Sequence, residues 1–155
     1  MRYKLLQTTD GLRTYAVIFD EGDDPYELLT RFARDEGLTG GSLTGVGALS
    51  RTTIGWFDPD ARDYERTVVD EQCEVVSMVG DIAVDDDGTP TVHAHIVLAK
   101  RDTSAVGGHL FGGRVWPTLE VLVTESQATM RKRLDPDVGL ALIDLDQTPP
   151  TRELS

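Results

Sequence analysis

The sequence contains a single cysteine and no long apolar run. Cys73 has no second cysteine in the chain with which to form a disulfide, and one unpaired thiol is typical of proteins from a reducing compartment. No segment approaches the ~20 apolar residues that a membrane-spanning helix needs, and residues 1–20 lack the unbroken apolar region of a signal peptide. We therefore expect a cytoplasmic protein without a membrane partner.

Basic residues are also scarce. The chain has 15 Lys and Arg residues against 27 Asp and Glu residues, which gives a formal net charge of −12. Duplex DNA carries one negative charge per ~1.7 Å of its axis, so this net charge opposes unaided DNA binding. The dense basic run is Arg131, Lys132 and Arg133, the candidate for DNA contact, although Asp135 and Asp137 follow it at once.

The chain lacks three motifs of well-known chemistry. The phosphate-binding patterns G-x-x-x-x-G-K-[ST] and G-x-G-x-x-G after a strand are absent, and so is the nucleophile motif G-x-S-x-G. We therefore expect no nucleotide cofactor. One carboxylate stands out, because Glu120 interrupts the apolar stretch 116–123, where a charge is unfavourable unless it is paired or hydrogen-bonded. It could orient an imidazole, accept a proton from a bound water, or pair with Arg114.

Turn signals and apolar spacing predict an α+β fold with a largely antiparallel sheet. Asp24 and Pro25 are typical of a helix start, and Gly37 is typical of its end. Asp10 and Gly11 predict the turn of an N-terminal hairpin. β-Branched and aromatic runs predict further strands at residues 42–49, 52–57, 64–69, 73–84, 91–100 and 113–124.

No linker or internal repeat divides the chain. Residues 1–146 are therefore predicted to form one domain, and residues 147–155 a flexible C-terminal tail. Residues 131–145 are predicted to be weakly helical or irregular. The pair Gly80 and Asp81 predicts a bend or bulge within the strand 73–84.

All three histidines of the chain lie between residues 93 and 109. His93 and His95 are two positions apart in a predicted strand, so their side chains share one face, about 6.5–7 Å apart at Cα. Gly107 and Gly108 allow a close backbone approach that would bring His109 to the same place. The spacing predicts an open three-histidine site for a transition metal. The alternative is a polar strand face or a structural hydrogen-bond network.

Four short stretches, in order along nearly the whole chain, resemble one family. They are LTGVGAL at 43–49, VHAHIVLA at 92–99, GGHL at 107–110 and EVL at 120–122, and residues 133–142 resemble the end of its domain. The combination is similar to the plant-and-prokaryote-conserved (PPC) domain of plant AT-hook proteins and stand-alone prokaryotic proteins. The resemblance implies a mostly antiparallel sheet flanked by a few helices, a homotrimer, and a divalent metal, most plausibly zinc, on His93, His95 and His109. The Arg-Gly-Arg-Pro element with which plant members contact DNA is absent.

Two functions fit these observations. The first is a non-catalytic, trimeric regulatory or interaction module, with protein partners or DNA, in which aromatic residues such as Trp56 and Trp116 either contact other subunits or fill the core. The second is a zinc-dependent enzyme acting on a small molecule. There Glu120 would take a proton from zinc-bound water, and Arg101 or Arg114 would hold an anionic substrate. We favour the first, because the sequence shows no complete catalytic constellation.

Overall fold

The computed structural model describes residues 1–148 and contains one α-helix and nine strands in that range. This confirms the predicted α+β class, with a single helix where the resemblance implied a few. None of the described residues forms a helix long and apolar enough to cross a membrane. The elements are β1 Arg2–Thr9, β2 Leu12–Phe19, α1 Pro25–Asp35, β3 Gly40–Asp58, β4 Asp63–Val69, β5 Cys73–Val84, β6 Pro90–Ala99, β7 Ala105–Glu125, β8 Lys132–Asp135 and β9 Leu140–Ile143.

The main sheet has seven antiparallel strands in the order β1-β2-β7-β6-β5-β3-β4. β7 also pairs with β3 over most of its length, so the sheet curls back on itself. The strands predicted at 42–49 and 52–57 are one continuous strand, β3, whose register against β7 shifts between Gly47 and Arg51. The irregularity of β5 lies between Val75 and Ser77, and the register at Gly80 and Asp81 is regular.

Helix α1 begins where the sequence predicted. Oδ1 of Asp24 accepts hydrogen bonds from the backbone N–H of Tyr26 (2.9 Å) and Glu27 (3.1 Å). Its other oxygen, Oδ2, accepts from the N–H of Gly113 in β7 at 3.1 Å. Gly37 follows the helix with φ +63°, a conformation that glycine adopts without strain. Asp24 therefore both caps α1 and fastens it to the sheet. The helix packs its buried face, which includes Leu29, Phe32 and Ala33, into the core.

The prediction for residues 131–145 is wrong. They form a hairpin of β8 and β9, in which Lys132 pairs with Ile143 and Asp135 with Leu140. Oδ1 of Asp135 accepts from the backbone N–H of Asp137 at 2.8 Å, and Gly139 takes φ +82°. This turn chemistry joins two strands rather than extending a helix. Of the predicted tail, residues 149–155 lie outside the described residues, and the single domain over 1–146 stays a prediction.

We expect Asp24→Ala to lower the free energy of unfolding by about 1–3 kcal/mol. The change removes the acceptor of two helical N–H groups and leaves the Gly113 N–H without its partner. Urea denaturation followed by circular dichroism measures the loss. Asp86→Ala, in an exposed turn, is the control and should change stability by no more than about 0.5 kcal/mol. Equal effects of the two substitutions would contradict a stabilising role for this cap.

Candidate metal centre

Cross-strand pairing brings the three imidazoles together. His93 and His95 project from the same face of β6, and His109 on β7 is the direct partner of His95. The ring centroids of His93 lie 5.1 Å from those of both His95 and His109, and the remaining pair is 5.5 Å apart. One ring nitrogen from each histidine can be chosen so that all three lie within 4.8 Å of one another. The predicted convergence of the histidines is therefore present.

Glycines let β7 come close enough for this arrangement. A Cβ atom on Gly108 would lie 2.5 Å from the carbonyl oxygen of Gly55 in β3, and one on Gly107 would lie 2.7 Å from that of Ile96 in β6. Real side chains do not tolerate such distances. The two glycines before His109 therefore serve close backbone approach, as predicted, and neither takes a positive φ.

A carboxylate from the neighbouring strand holds the first of the three rings. Asp81 on β5 is the register partner of His93, and its Oδ2 lies 3.0 Å from Nδ1 of that histidine. Because Nδ1 contacts the carboxylate, Nε2 is the ring nitrogen of His93 that remains to bind an ion together with His95 and His109. A carboxylate behind a ligating histidine is a recurrent arrangement in metal sites, because it fixes the orientation of the ring and makes the imidazole more basic.

A buried ammonium group completes this arrangement. Nζ of Lys132, whose side chain is only 9% exposed, lies 2.7 Å from Oδ1 of Asp81. Burial alone would raise the pKa of Asp81, but its contacts with His93 and Lys132 outweigh burial and hold that pKa below its usual value. Asp81 is therefore ionised at neutral pH, and the C-terminal hairpin is tied to the histidine cluster through it.

The surroundings of His95 and His109 favour the neutral form of both imidazoles. Burial, and then repulsion from His93 and His95, lowers the pKa of His109 to about 4. Burial and His93 also lower the pKa of His95. Neutral imidazole is the form that binds a transition metal. Nδ1 of His109 is buried and has no hydrogen-bond partner among the described residues, so the cluster has an unsatisfied ring nitrogen that an ion would satisfy. The residues present therefore fit a divalent transition metal.

Aromatic rings and the C-terminal hairpin shield one side of the cluster. The Tyr64 and Phe111 rings each lie 4.7 Å from the His109 ring, centroid to centroid. A cavity of about 280 Å³ adjoins His93 and His109, and its other walls include Tyr64, Lys132 and Leu140. His95, in contrast, is exposed. The site is therefore enclosed on the side of the hairpin and open on the side of His95.

The structure does not bring the other candidates to this cluster. Glu120 on β7 is the register partner of Ile18 in β2 and of Val46 in β3. It borders an apolar groove with those two residues and does not line the cavity beside His93 and His109. Arg101 follows β6 in an exposed turn.

The remaining basic candidates are also apart from the cluster or already paired. Arg114 is exposed on β7, opposite Arg51 of β3. Within the basic run, Lys132 is buried against Asp81, Arg131 is partly buried and Arg133 is exposed. The run therefore does not present three cations to solvent together.

Sequence reasoning missed Asp81 and Tyr64 as parts of the site, and placed Lys132 in a basic run instead. The signal for Asp81 was available, because a charge within the apolar strand 73–84 is unfavourable unless it is paired or hydrogen-bonded. That Asp81 is the partner of His93 follows from the register between β5 and β6. The spacing of residues along one strand does not predict this register.

A family model described as the Plants and Prokaryotes Conserved (PCC) domain matches residues 6–127. The chain belongs to this family. The family match confirms the resemblance, and it includes all three histidines and Asp81. It ends before the hairpin of β8 and β9, so Lys132 is contributed by a segment beyond the matched residues.

Solved structures of similar proteins share the fold over most of this chain. A candidate DNA-binding protein of Bacteroides thetaiotaomicron has a TM-score of 0.85 at 25% identity, covering 94% of this chain and 99% of its own. A PPC protein of Pyrococcus horikoshii has a TM-score of 0.79 at 26% identity, with 92% and 94% covered. A metal-containing protein of Archaeoglobus fulgidus has a TM-score of 0.78 at 25% identity, with 92% and 96% covered.

A longer protein contains a related segment. The bifunctional protein GlmU of a Synechococcus strain is 29% identical to this chain over 150 residues, which cover 92% of this chain. The chain spans 23% of the length of that relative. The similarity therefore concerns one part of a larger protein.

We expect Asp81→Asn to weaken zinc binding by about 10- to 100-fold, because an amide neither carries the charge nor fixes the His93 ring as the carboxylate does. Competition titration against a chromogenic zinc chelator measures the change. Glu120→Gln removes a carboxylate from the same sheet away from the histidines and should leave the affinity unchanged. Equal affinities for Asp81→Asn and the unaltered protein would show that Asp81 does not support a metal ligand.

Proposed function

We propose that this chain is a non-catalytic, self-associating interaction domain that holds one divalent transition metal ion per subunit on His93, His95 and His109. The observation that carries this proposal is the convergence of three imidazole nitrogens, with a carboxylate behind one of them. Three nitrogen ligands and one open position match zinc, which is borderline soft and takes imidazole readily. The name of the A. fulgidus relative, a metal-containing protein, agrees with this assignment.

The contacts around the cluster favour binding over turnover. General-base catalysis at a zinc site needs a free base beside the water that the ion activates. Asp81 already contacts both His93 and Lys132, and Glu120 does not line the cavity beside the histidines. Arg101 and Arg114 do not line the cavity beside the histidines, so they do not supply an anion-binding group there. We therefore assign the ion a structural or regulatory role, in which it joins β6 to β7.

The proposed assembly surface is the open face of the sheet. Val46, Val76, Val79 and Leu122 are each at least half exposed, at 50–57%, and they line a groove of about 510 Å³ formed by β2, β3, β5 and β7. A contiguous apolar patch of this kind marks an interface more often than a free surface. We propose that further copies of the chain cover it, in the homotrimer that the family resemblance implied. The groove is largely apolar, with Glu120 at its border, and neither Trp56 nor Trp116 lines it.

The same proposal makes proteins, rather than DNA, the main partners. The B. thetaiotaomicron relative is named for DNA binding, but this chain carries a net charge of −12. Lys132, at the centre of the one dense basic run, is already paired with Asp81. DNA association would thus depend on dispersed arginines against long-range repulsion.

Protein purified without a polyhistidine tag should contain close to one zinc ion per subunit by elemental analysis. His95→Ala removes one ligand and should leave the metal content near zero after dialysis, because two imidazoles hold an ion far less tightly than three. Asp102→Asn changes an exposed carboxylate in the turn after β6 and should retain the metal. Metal bound equally by His95→Ala and by the unaltered protein would contradict the assignment.

Val46→Glu should convert the trimer into monomers, since it would bury a carboxylate in an apolar contact. Light scattering coupled to size exclusion measures the mass. Val68→Glu makes the same change at an exposed valine of β4 (46% exposed) that does not line the groove, and it should leave the mass unchanged. A monomeric unaltered protein, or a Val46→Glu trimer, would contradict the proposed face.

A further inference from the structure

The C-terminal hairpin and the residues just after it expose four aliphatic side chains. Leu134, Leu142, Ile143 and Leu145 are 59%, 43%, 40% and 79% exposed. Single exposed apolar residues are ordinary, but a contiguous group is not. Leu134 and Ile143 share one face of the hairpin, since Leu134 pairs with Ala141 and Ile143 is two positions further along β9. The hairpin lies beyond the residues that the family match covers.

These side chains border a groove whose rim is acidic. The groove has a volume of about 630 Å³, and four aspartates line it, at positions 135, 137, 144 and 146, with Arg133 as the one basic residue. The carboxylates of Asp135 and Asp144 accept hydrogen bonds from backbone N–H groups two residues later and so stabilise local turns. Asp137 and Asp146 are exposed. The groove therefore combines a few exposed aliphatic side chains with an excess of negative charge.

We propose that this groove binds a basic, amphipathic segment of a partner protein. The apolar face of such a segment would cover Leu134, Ile143 and Leu145, and its Lys or Arg side chains would meet the aspartates of the rim. This proposal rests on the interaction role proposed above and adds the class of partner. It requires neither a bound metal nor the trimer.

Charge disfavours the other occupants. A second copy would bring its own net charge of −12 to an already acidic rim, and DNA would be repelled for the same reason. Residues 149–155 follow the groove directly in sequence, but they contain a single basic residue, Arg152, next to Glu153, and two prolines. They do not have the composition of a basic amphipathic segment.

The test uses a fluorescently labelled amphipathic peptide of Leu and Lys, and a scrambled peptide of the same composition without an apolar face. Fluorescence anisotropy measures the affinity of each peptide for the full chain at low and moderate ionic strength. We expect the amphipathic peptide to bind about tenfold more tightly than the scrambled one, and its affinity to fall as salt screens the rim.

Two groove variants and two matched controls locate the binding. Asp137→Asn with Asp146→Asn removes two charges without touching the turn-holding carboxylates, and Leu145→Ser removes the most exposed apolar side chain. Each should weaken peptide binding by about tenfold. Asp10→Asn with Asp86→Asn, and Leu6→Ser (53% exposed in the unaltered chain), make the same chemical changes elsewhere and should leave affinity within about twofold. Circular dichroism verifies that each variant is folded.

Several outcomes would overturn the assignment. Equal affinity for both peptides would mean that the peptide is held only by non-specific charge attraction. Equal losses of affinity in the groove variants and in the control variants would mean that the peptide binds elsewhere. A lower mass of Leu145→Ser in light scattering would assign the groove to a second copy of the chain. Tighter peptide binding after removal of residues 149–155 would assign it to the chain's own end. The zinc and Val46→Glu measurements are separate, so a failure here is distinguishable from a failure of the metal site or of the trimer.

Discussion

The site depends on the antiparallel register of three adjacent strands. The pairing of β5 with β6 places Asp81 opposite His93, and the pairing of β6 with β7 places His95 opposite His109. Because strand side chains alternate between faces, a shift of one residue in either pairing would move a ligand or its carboxylate to the opposite face of the sheet. The absence of a side chain at Gly107 lets β7 approach the carbonyl oxygen of Ile96 in β6 closely and so fits this register. The convergence of the three imidazoles is thus a consequence of sheet geometry.

Local features of the sequence predicted the local features of the structure. Asp24, Pro25 and Gly37 located the helix because capping chemistry involves only neighbours along the chain. The same holds for His93 and His95, whose shared face follows from the two-residue period of a strand. The continuous course of β3 and the roles of Asp81 and Lys132 were not predicted, because pairings between distant segments decide them. The hairpin of β8 and β9 was missed because its strands are only four residues long, too short for a periodicity to show.

The two surfaces proposed as contacts, the open sheet face and the groove of the C-terminal hairpin, differ in chemistry and position. The open sheet face is aliphatic, and Val79 within it is the register partner of His95, so the exposed side of the histidine cluster borders the proposed subunit contact. The C-terminal hairpin is apolar and acidic, and lies on the enclosed side. The net charge of −12 is compatible with both proposals. Repulsion between copies of the chain opposes their association except where a large apolar area is buried. The two proposals thus concern different classes of partner.

The contact between Lys132 and Asp81 also constrains how sequences of this kind can diverge. Replacing one member of a largely buried ion pair leaves the other charge without compensation, whereas exchanging both for apolar residues can be close to neutral. Lys132 is only 9% exposed and Asp81 is 24% exposed, so neither ion can regain full hydration if the other is lost. The two positions should therefore change together during evolution. Relatives whose chains have a different C-terminal segment would be expected to supply another cation to the aspartate, or to have no acid at that position of the fifth strand.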